Sequence, residues 1–353
     1  MQQGQYLLVR NQLQSLPRRV IELNPLLLLM RTRCAIYDYD MEYFSGTLAE
    51  TEQWLPRLPI GAQQAMAQEM TLLKAQLALK REQWELADRL AAQVLAQLQP
   101  EQQRELAIGL AVRGEVCICQ GQSEAALEQL SRSLALAYAQ QAHINVVWQL
   151  SQLAEAQINL AQLARAEERL QQAEAEGKAQ HLEQLQVMEF VYRCWCKLAL
   201  LRQDLPRAEH CLQRMATIIE GEEERWLYPL YTGRLQLAMR QERLLEAQHW
   251  AAELERLGAR YQVHADWRAN ADSARLDLWL RTGQRQTVRD WLRQQPPLLL
   301  AGNHFLQLQG INRARALLGL GKYRSALRQL ARLQAEAQSR QLPRVPAVWG
   351  PGC

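Results

Sequence analysis

The fold is decided by one ten-residue stretch, Gly121-Gln-Ser-Glu-Ala-Ala126-Leu-Glu-Gln-Leu130. A helix-breaking glycine begins it, and five residues later a small residue opens an apolar stripe with helical spacing. The same form recurs along the chain, always with a small or short apolar residue at this anchor position. The eight anchors are Gly46, Ala87, Ala126, Ala166, Ala208, Ala247, Val288 and Ala326. Their spacings of 38 to 42 residues predict a repeat protein with about forty residues per unit.

Each repeat divides into two helical segments joined by a short turn. In the fourth repeat, residues 146–159 and 163–175 both carry apolar residues at i, i+3, i+4 and i+7. A short turn makes the two helices antiparallel, and a small anchor lets them approach closely. One hairpin cannot bury its apolar face alone, so hairpins must stack on their neighbours. The sequence therefore predicts an all-α fold, a right-handed superhelical solenoid of antiparallel helix pairs. It resembles tetratricopeptide arrays but has longer units.

The repeats extend over most of the chain. We predict one tetratricopeptide-like domain over residues 1–341, with about eight helix pairs preceded by a half repeat at residues 4–15. After Gln341 the composition changes to a segment rich in proline and glycine. Residues 342–353 are therefore predicted to be a non-helical tail, which we interpret as the product of a truncation or a frameshift.

Composition and charge argue against several classes of protein. A net charge of +4 over 353 residues is too small to indicate a nucleic-acid surface. The most apolar stretch, residues 26–30, is far shorter than the roughly 20 residues that cross a bilayer. Seven cysteines without an export signal indicate reduced thiols. We therefore expect a cytoplasmic protein that binds neither nucleic acid nor a membrane directly.

No sequence motif points to catalysis or to a cofactor. A phosphate-loop pattern fails at Gly177-Lys178 and at Gly321-Lys322. Two Cys-x-Cys pairs, Cys117/Cys119 and Cys194/Cys196, fall in the middle of predicted helices. Residues two apart on a helix point about 200° from each other, so such a pair cannot share a metal. The sequence predicts no enzyme, no metal and no cofactor.

Aromatic residues recur 18 to 21 positions before successive anchors, near the start of the first helices. They are Trp148, Phe190, Tyr228, Trp267 and Phe305, and the residues beside them are polar. Equivalent positions of a solenoid line up on one surface, and aromatic faces beside carboxylates and amides suit a sugar. Packing of the rings between repeats is the alternative explanation. The candidate ligand-binding residues are Glu189, Phe190, Tyr228, Asp266, Trp267, Asn270, Asn303, His304 and Phe305.

Three of these polar and aromatic segments also carry a family resemblance. They are Glu189-Phe190, His264-Ala-Asp-Trp267-Arg-Ala-Asn270-Ala271 and Asn303-His-Phe-Leu-Gln307. Together they resemble the helical-repeat domain of the MalT-type transcription activators, over about residues 13–341. The resemblance implies a larger regulator, with an N-terminal ATPase module and a C-terminal helix-turn-helix of the LuxR type. It also implies that the repeat domain receives a maltodextrin inducer.

The sequence and the resemblance together give two functional hypotheses. The first is a ligand-sensing helical-repeat domain of a MalT-like transcription regulator, present here as a fragment without the ATPase and DNA-binding modules. The second is a stand-alone scaffold for protein–protein interaction. The expected partner is accordingly a small oligosaccharide, with a maltodextrin as the candidate, or another protein.

Overall fold

The computed structural model describes residues 6–37, 41–295 and 304–339, and every regular element in these ranges is helical. Eighteen α-helices follow one another: α1 (Tyr6–Ser15), α2 (Arg18–Glu22), α3 (Pro25–Tyr37), α4 (Met41–Glu52), α5 (Ile60–Lys80), α6 (Trp84–Leu95), α7 (Gln103–Cys119), α8 (Ser123–Ala139), α9 (His143–Asn159), α10 (Leu163–Ala179), α11 (Gln186–Leu201), α12 (Leu205–Ile218), α13 (Leu227–Arg240), α14 (Leu244–Arg260), α15 (Ala265–Arg281), α16 (Arg285–Gln294), α17 (His304–Gly319) and α18 (Tyr323–Ser339). Short 3₁₀ turns precede α5 and α13. The predicted all-α fold is confirmed.

The helices from α3 to α18 form eight consecutive pairs, as many as the anchor spacing predicts. Helix α1 coincides with the predicted half repeat. The right hand of the superhelix and the domain limits remain predictions. Residues 340–353, which include the proposed tail, lie outside the described residues.

Seven of the eight anchors are completely buried in the second helix of their pair. The exception is Gly46, which is exposed, with no atom within 4 Å of the position that a Cβ would take. The next residue, Thr47, is buried in its place. The anchor of the first repeat was therefore misplaced by one residue, because glycine matched the small-residue pattern without lying at a close approach.

Nine of the turns inside and between the hairpins share one backbone conformation. Each of these nine contains a residue with a positive φ of 54° to 78°, and in eight of them the amide of the next residue donates to a carbonyl five residues back. In this way Ala142 N donates to Ala137 O at 2.9 Å, and Gln162 N donates to Gln157 O at 2.8 Å. The positive-φ residues of these turns are Glu82, Gly121, Gln141, Ala161, His181, Gln203, Glu242, Gly283 and Gly321.

The helices group into two compact units. Unit 1 comprises Met1–Cys117, Glu124–Leu153 and Gln172–Leu182, and unit 2 comprises Ile118–Ser123, Ala154–Gln171 and Glu183–Cys353. Within unit 1, Phe44 and Met70 are part of an apolar core. Within unit 2, one core surrounds Tyr228 and Leu254 and another surrounds Trp279 and Trp291. Every described candidate ligand-binding residue belongs to unit 2. Over the described ranges, no helix is long and apolar enough to cross a membrane.

Candidate functional site

Helix α11 carries a row of charged residues on an otherwise apolar element. Twelve of its sixteen residues are buried, and Glu189, Arg193 and Lys197 follow one another at intervals of four. This interval places the three side chains on one face of the helix. Because moving charges out of water is unfavourable, such a row on a buried helix indicates partners or a ligand.

Glu189 and Arg193 form an ion pair with unused hydrogen-bonding capacity. Glu189 is only 4% exposed, and its Oε1 lies 3.5 Å from Arg193 Nε. Neither of these two buried atoms makes a hydrogen bond within the described part of the chain. Burial raises the pKa of the Glu189 carboxyl above its ordinary value, and the positive charge of Arg193 opposes that shift only in part. The pair therefore leaves one buried acceptor and one buried donor without a hydrogen bond among the described residues.

The guanidinium of Arg193 connects two aromatic rings from different repeats. Its Cζ lies 4.6 Å from the ring centre of Phe190 and 5.9 Å from that of Trp267. The Trp226 ring meets Trp267 edge-on, with ring centres 5.4 Å apart. Phe190 belongs to the fifth repeat and Trp267 to the seventh, so first helices two repeats apart meet here. We call Glu189, Phe190, Arg193, Trp226 and Trp267 the Arg193 cluster.

Polar groups of α15 border this cluster. Asn270 Nδ2 donates to the Asp266 carboxylate at 2.7 Å and to the Asp266 carbonyl at 2.9 Å. The Asp266 amide donates to His264 Nδ1 at 3.3 Å, which caps the start of the helix. The His264 ring in turn meets Phe305 edge-on at 5.8 Å. These contacts hold a carboxylate and an amide next to the rings.

On the other side, Lys197 binds residues of α9. Its Nζ lies 2.6 Å from Glu155 Oε1 and 3.4 Å from Asn159 Oδ1. Burial lowers the pKa of Lys197, but the charge and hydrogen bond of Glu155 outweigh this effect and hold the pKa above its ordinary value. The Glu155 carboxylate therefore favours the charged form of Lys197.

The predicted site residues do not all meet. Glu189, Phe190, Asp266, Trp267 and Asn270 come together, and Phe305 reaches them through His264. Tyr228 is not exposed to a ligand: it is 2% exposed in an apolar core against which Trp267 packs, and burial raises its pKa to about 12. Its ring therefore packs between helices, as the alternative explanation for the aromatic register proposed. Asn303 and the side chain of His304 lie outside the described residues.

Four residues of this region were absent from the sequence-based set: Glu155, Arg193, Lys197 and Trp226. The signal for two of them was present, because Arg193 and Lys197 continue the four-residue interval that begins at Glu189. Trp226 lies in a 3₁₀ turn before α13, outside the aromatic register. Glu155 belongs to a helix whose approach to α11 no local pattern reveals.

This fold defines a class: the chain is a tetratricopeptide-like helical-repeat protein. Its first helices carry a polar and aromatic cluster. Residues 68–348 match the family described as the MalT-like TPR region, which is most of the chain. The chain belongs to this family, and the resemblance found in the sequence is confirmed.

Relatives and solved structures agree with this assignment. Two HTH-type transcriptional regulators MalT, from Klebsiella pneumoniae strain 342 and from Klebsiella pneumoniae subsp. pneumoniae strain ATCC 700721 / MGH 78578, are each 28% identical over 335 residues. The matches cover 95% of this chain but 37% of each relative's length. A Rap protein crystallised with Competence and Sporulation Factor has a similar fold, with a TM-score of 0.65, 14% identity, and coverage of 94% of this chain and 90% of the other.

Proposed function

We propose that the chain is the ligand-sensing, regulatory region of a MalT-like transcription regulator and that the Arg193 cluster binds a short, uncharged oligosaccharide. The candidate inducer is a maltodextrin. The observation that carries the proposal is the buried Glu189–Arg193 pair, which keeps an acceptor and a donor without hydrogen bonds beside two aromatic rings. In this proposal the region acts in the cytoplasm without catalytic activity, and it touches neither nucleic acid nor a membrane.

The chemistry of the cluster supports a sugar as the ligand. Neighbouring hydroxyls of a sugar are both donors and acceptors, so one can bind Glu189 while the next binds Arg193. The C–H face of the sugar can stack on Trp267, which is partly exposed. Asp266 and Asn270 then lie within reach of further hydroxyls. Each such bond replaces one to water, so the affinity of this region alone is expected to be modest.

The test is a thermal unfolding titration of the chain with maltotriose. At a hundred times its dissociation constant, a ligand stabilises the folded chain by roughly 2.7 kcal/mol. We expect this stabilisation in the wild type and its loss in Trp267→Ala and in Arg193→Met. The matched control is Trp250→Ala, since Trp250 is also partly exposed but packs against Tyr231 on α13.

Melting temperatures without sugar separate binding from folding. Trp250→Ala should lower the melting temperature yet keep the response to maltotriose. If maltotriose leaves the wild type unchanged, the sugar proposal fails. If Trp267→Ala and Arg193→Met respond as the wild type does, the sugar binds at another place.

The second candidate function is a scaffold for protein–protein interaction. One observation favours it: Leu327 on α18 is an apolar side chain that is 65% exposed. The Rap protein whose fold is similar was crystallised with Competence and Sporulation Factor. At 14% identity that likeness concerns the fold, so the case for a protein partner rests on the surface of α18.

A further inference from the structure

The connection between α12 and α13 is longer than its neighbours in unit 2. Eight residues, 219–226, join these two helices, whereas three residues join α13 to α14 and four join α14 to α15. The extra length contains the 3₁₀ turn Glu224–Trp226, and the stretch before it, residues 220–223, is exposed. The turn therefore adds a tryptophan just before the first helix of the sixth repeat.

Trp226 is the member of the Arg193 cluster that lies against Trp267. The two rings meet edge-on, with 60° between their planes and 5.4 Å between their centres. Aromatic rings attract each other in this arrangement, and the contact limits how one ring can turn against the other. Trp267 is partly exposed, and the guanidinium of Arg193 lies 5.9 Å from its ring centre. The orientation of Trp267 therefore depends in part on where the Trp226 ring lies.

Glu224 attaches this turn to the end of helix α14. Its Oε1 lies 2.7 Å from Arg256 Nη1, and its Oε2 lies 2.6 Å from Arg260 Nη1. The Tyr261 hydroxyl donates to Oε2 at 3.2 Å. One carboxylate therefore gathers three donors from the last turns of α14 and the residue after it. The hydrogen bond from Arg256 holds the pKa of the Glu224 carboxyl below its ordinary value, so the group is charged at neutral pH.

The backbone of the connection makes short-range hydrogen bonds. Glu222 N donates to Ile219 O at 3.1 Å, and Trp226 N donates to Glu223 O at 2.9 Å. Such bonds shape the turn, but they do not attach it to α14. The Glu224 side chain provides that attachment.

We propose that Glu224 is a positioning residue for the sugar site: it holds the turn against α14, and this keeps the Trp226 ring against Trp267. Trp267 is thereby kept in the orientation on which a sugar stacks. This role rests on the proposed function, because it concerns the same site, although Glu224 itself does not touch the ligand. Without Glu224 the turn adopts other arrangements, and only a fraction of the molecules is ready to bind. The apparent affinity then falls in proportion to that fraction.

An ordinary surface ion pair is the competing explanation for the contacts of Glu224. Exposed ion pairs contribute little to stability, and the loss of one would leave a ring and its ligand in the next repeat unaffected. The two explanations differ in the quantity that they change. A positioning residue changes the affinity through Trp226, whereas a surface ion pair changes, at most, the melting temperature.

The first test measures the binding of maltotriose to variants of the chain by titration calorimetry. We expect Glu224→Ala and Trp226→Ala each to raise the dissociation constant about tenfold, as when about one molecule in ten is ready to bind. The double variant should bind about as tightly as Trp226→Ala, because both changes remove the same support. Glu224→Gln keeps an acceptor for Tyr261, so its affinity should lie between those of the wild type and Glu224→Ala.

Glu167→Ala is the matched control. The Glu167 side chain is 34% exposed, against 29% for Glu224, and its Oε2 lies 2.5 Å from Arg202 outside the Arg193 cluster. Without sugar, Glu167→Ala and Glu224→Ala should lower the melting temperature by similar small amounts, and only Glu224→Ala should lose affinity. Additive losses of affinity in the double variant, or equal affinities of Glu224→Ala and the wild type, overturn the proposal.

A second measurement needs no sugar, so it separates this role of Glu224 from the proposed function. The chain is labelled with fluorotryptophan, and the fluorine NMR resonances of the two rings are assigned with Trp226→Phe and Trp267→Phe. Glu224→Ala should shift or broaden the Trp267 resonance, and Glu167→Ala should leave it unchanged. An unchanged Trp267 resonance in Glu224→Ala overturns the positioning role even if the wild type binds maltotriose. A shifted resonance in a chain that does not bind maltotriose supports the role of Glu224 and shows that the sugar proposal is the one at fault.

Discussion

At the scale of single residues, the anchors offer a direct test of how the hairpins pack. Ala126 is completely buried on α8, whereas its neighbour Ala125 is exposed on the same helix. Ala126→Leu overfills a close-packed contact, so we expect the free energy of unfolding to fall by about 1–3 kcal/mol. Ala125→Leu makes the same change at a solvent-exposed position and should leave the free energy of unfolding nearly unchanged. Urea unfolding measures both, and equal values for the two variants would mean that Ala126 is not a packing anchor.

Glu69 gives a residue-scale prediction that depends on pH. Burial raises the pKa of this carboxyl, but hydrogen bonds and charges from Arg33 and Arg104 outweigh burial and hold the pKa below its ordinary value. A carboxyl with a lowered pKa stabilises the fold above the unfolded pKa of about 4.3, and this contribution disappears as the pH falls through the folded pKa. Glu69→Gln should therefore lower the free energy of unfolding by about 2 kcal/mol at neutral pH.

The same difference should shrink as the pH falls below about 4, because the wild-type carboxyl is then protonated as well. Urea unfolding over this pH range measures it. Glu128→Gln, at an exposed position of α8, is the control and should change little at any pH. A difference between Glu69→Gln and the wild type that is independent of pH would show that Arg33 and Arg104 do not hold the carboxylate as described.

At the scale of elements, the repeated turn makes a matched pair of predictions. Ala161 has a φ of 58° and Gly121 a φ of 78°, at equivalent places in the turns inside two consecutive hairpins. A residue with a Cβ is strained by about 1–2 kcal/mol in this left-handed region. Glycine avoids the strain, but it increases the conformational entropy of the unfolded chain, which lowers stability by roughly 0.4–1 kcal/mol. Ala161→Gly should therefore raise the free energy of unfolding by about 0.5–1 kcal/mol, and Gly121→Ala should lower it by a similar amount. Shifts of the same sign in both variants would contradict a shared turn.

These turns also show which elements the sequence could predict. The interval from a break to a buried small residue is local, so seven anchors and eight helix pairs followed from spacing alone. The left-handed residue was visible only where it is glycine, as at Gly121. Glutamate, glutamine and histidine occupy the same conformation at other turns, because the hydrogen-bonded turn tolerates them, and no residue type marks those positions.

At the scale of the whole molecule, the candidate site was predictable only in part. The aromatic register placed Phe190 and Trp267 near the starts of first helices, where they are found. Their meeting around Arg193 depends on how the fifth and seventh repeats approach each other, which no local pattern encodes. Tyr228 obeys the same register yet packs in a core. The register therefore identified a set of equivalent positions without showing which of the rings lie in a core and which lie in the Arg193 cluster.

The last prediction concerns the charge of the whole molecule. The net charge is only +4, and several arginines of the described residues pair with acidic residues of the same or the preceding repeat. Examples are Arg113–Asp88 at 2.8 Å, Arg202–Glu167 at 2.5 Å and Arg256–Glu224 at 2.7 Å. We expect the chain to bind a labelled DNA duplex at physiological salt no more tightly than the nonspecific range of about 10⁻⁴ to 10⁻⁶ M, without preference between sequences. Any weak binding should decrease in Arg328→Glu, since Arg324, Arg328 and Arg332 are exposed at intervals of four residues on α18. Tight, sequence-dependent binding in an anisotropy assay would show that this region reads DNA itself and would remove the basis for treating it as a sensor alone.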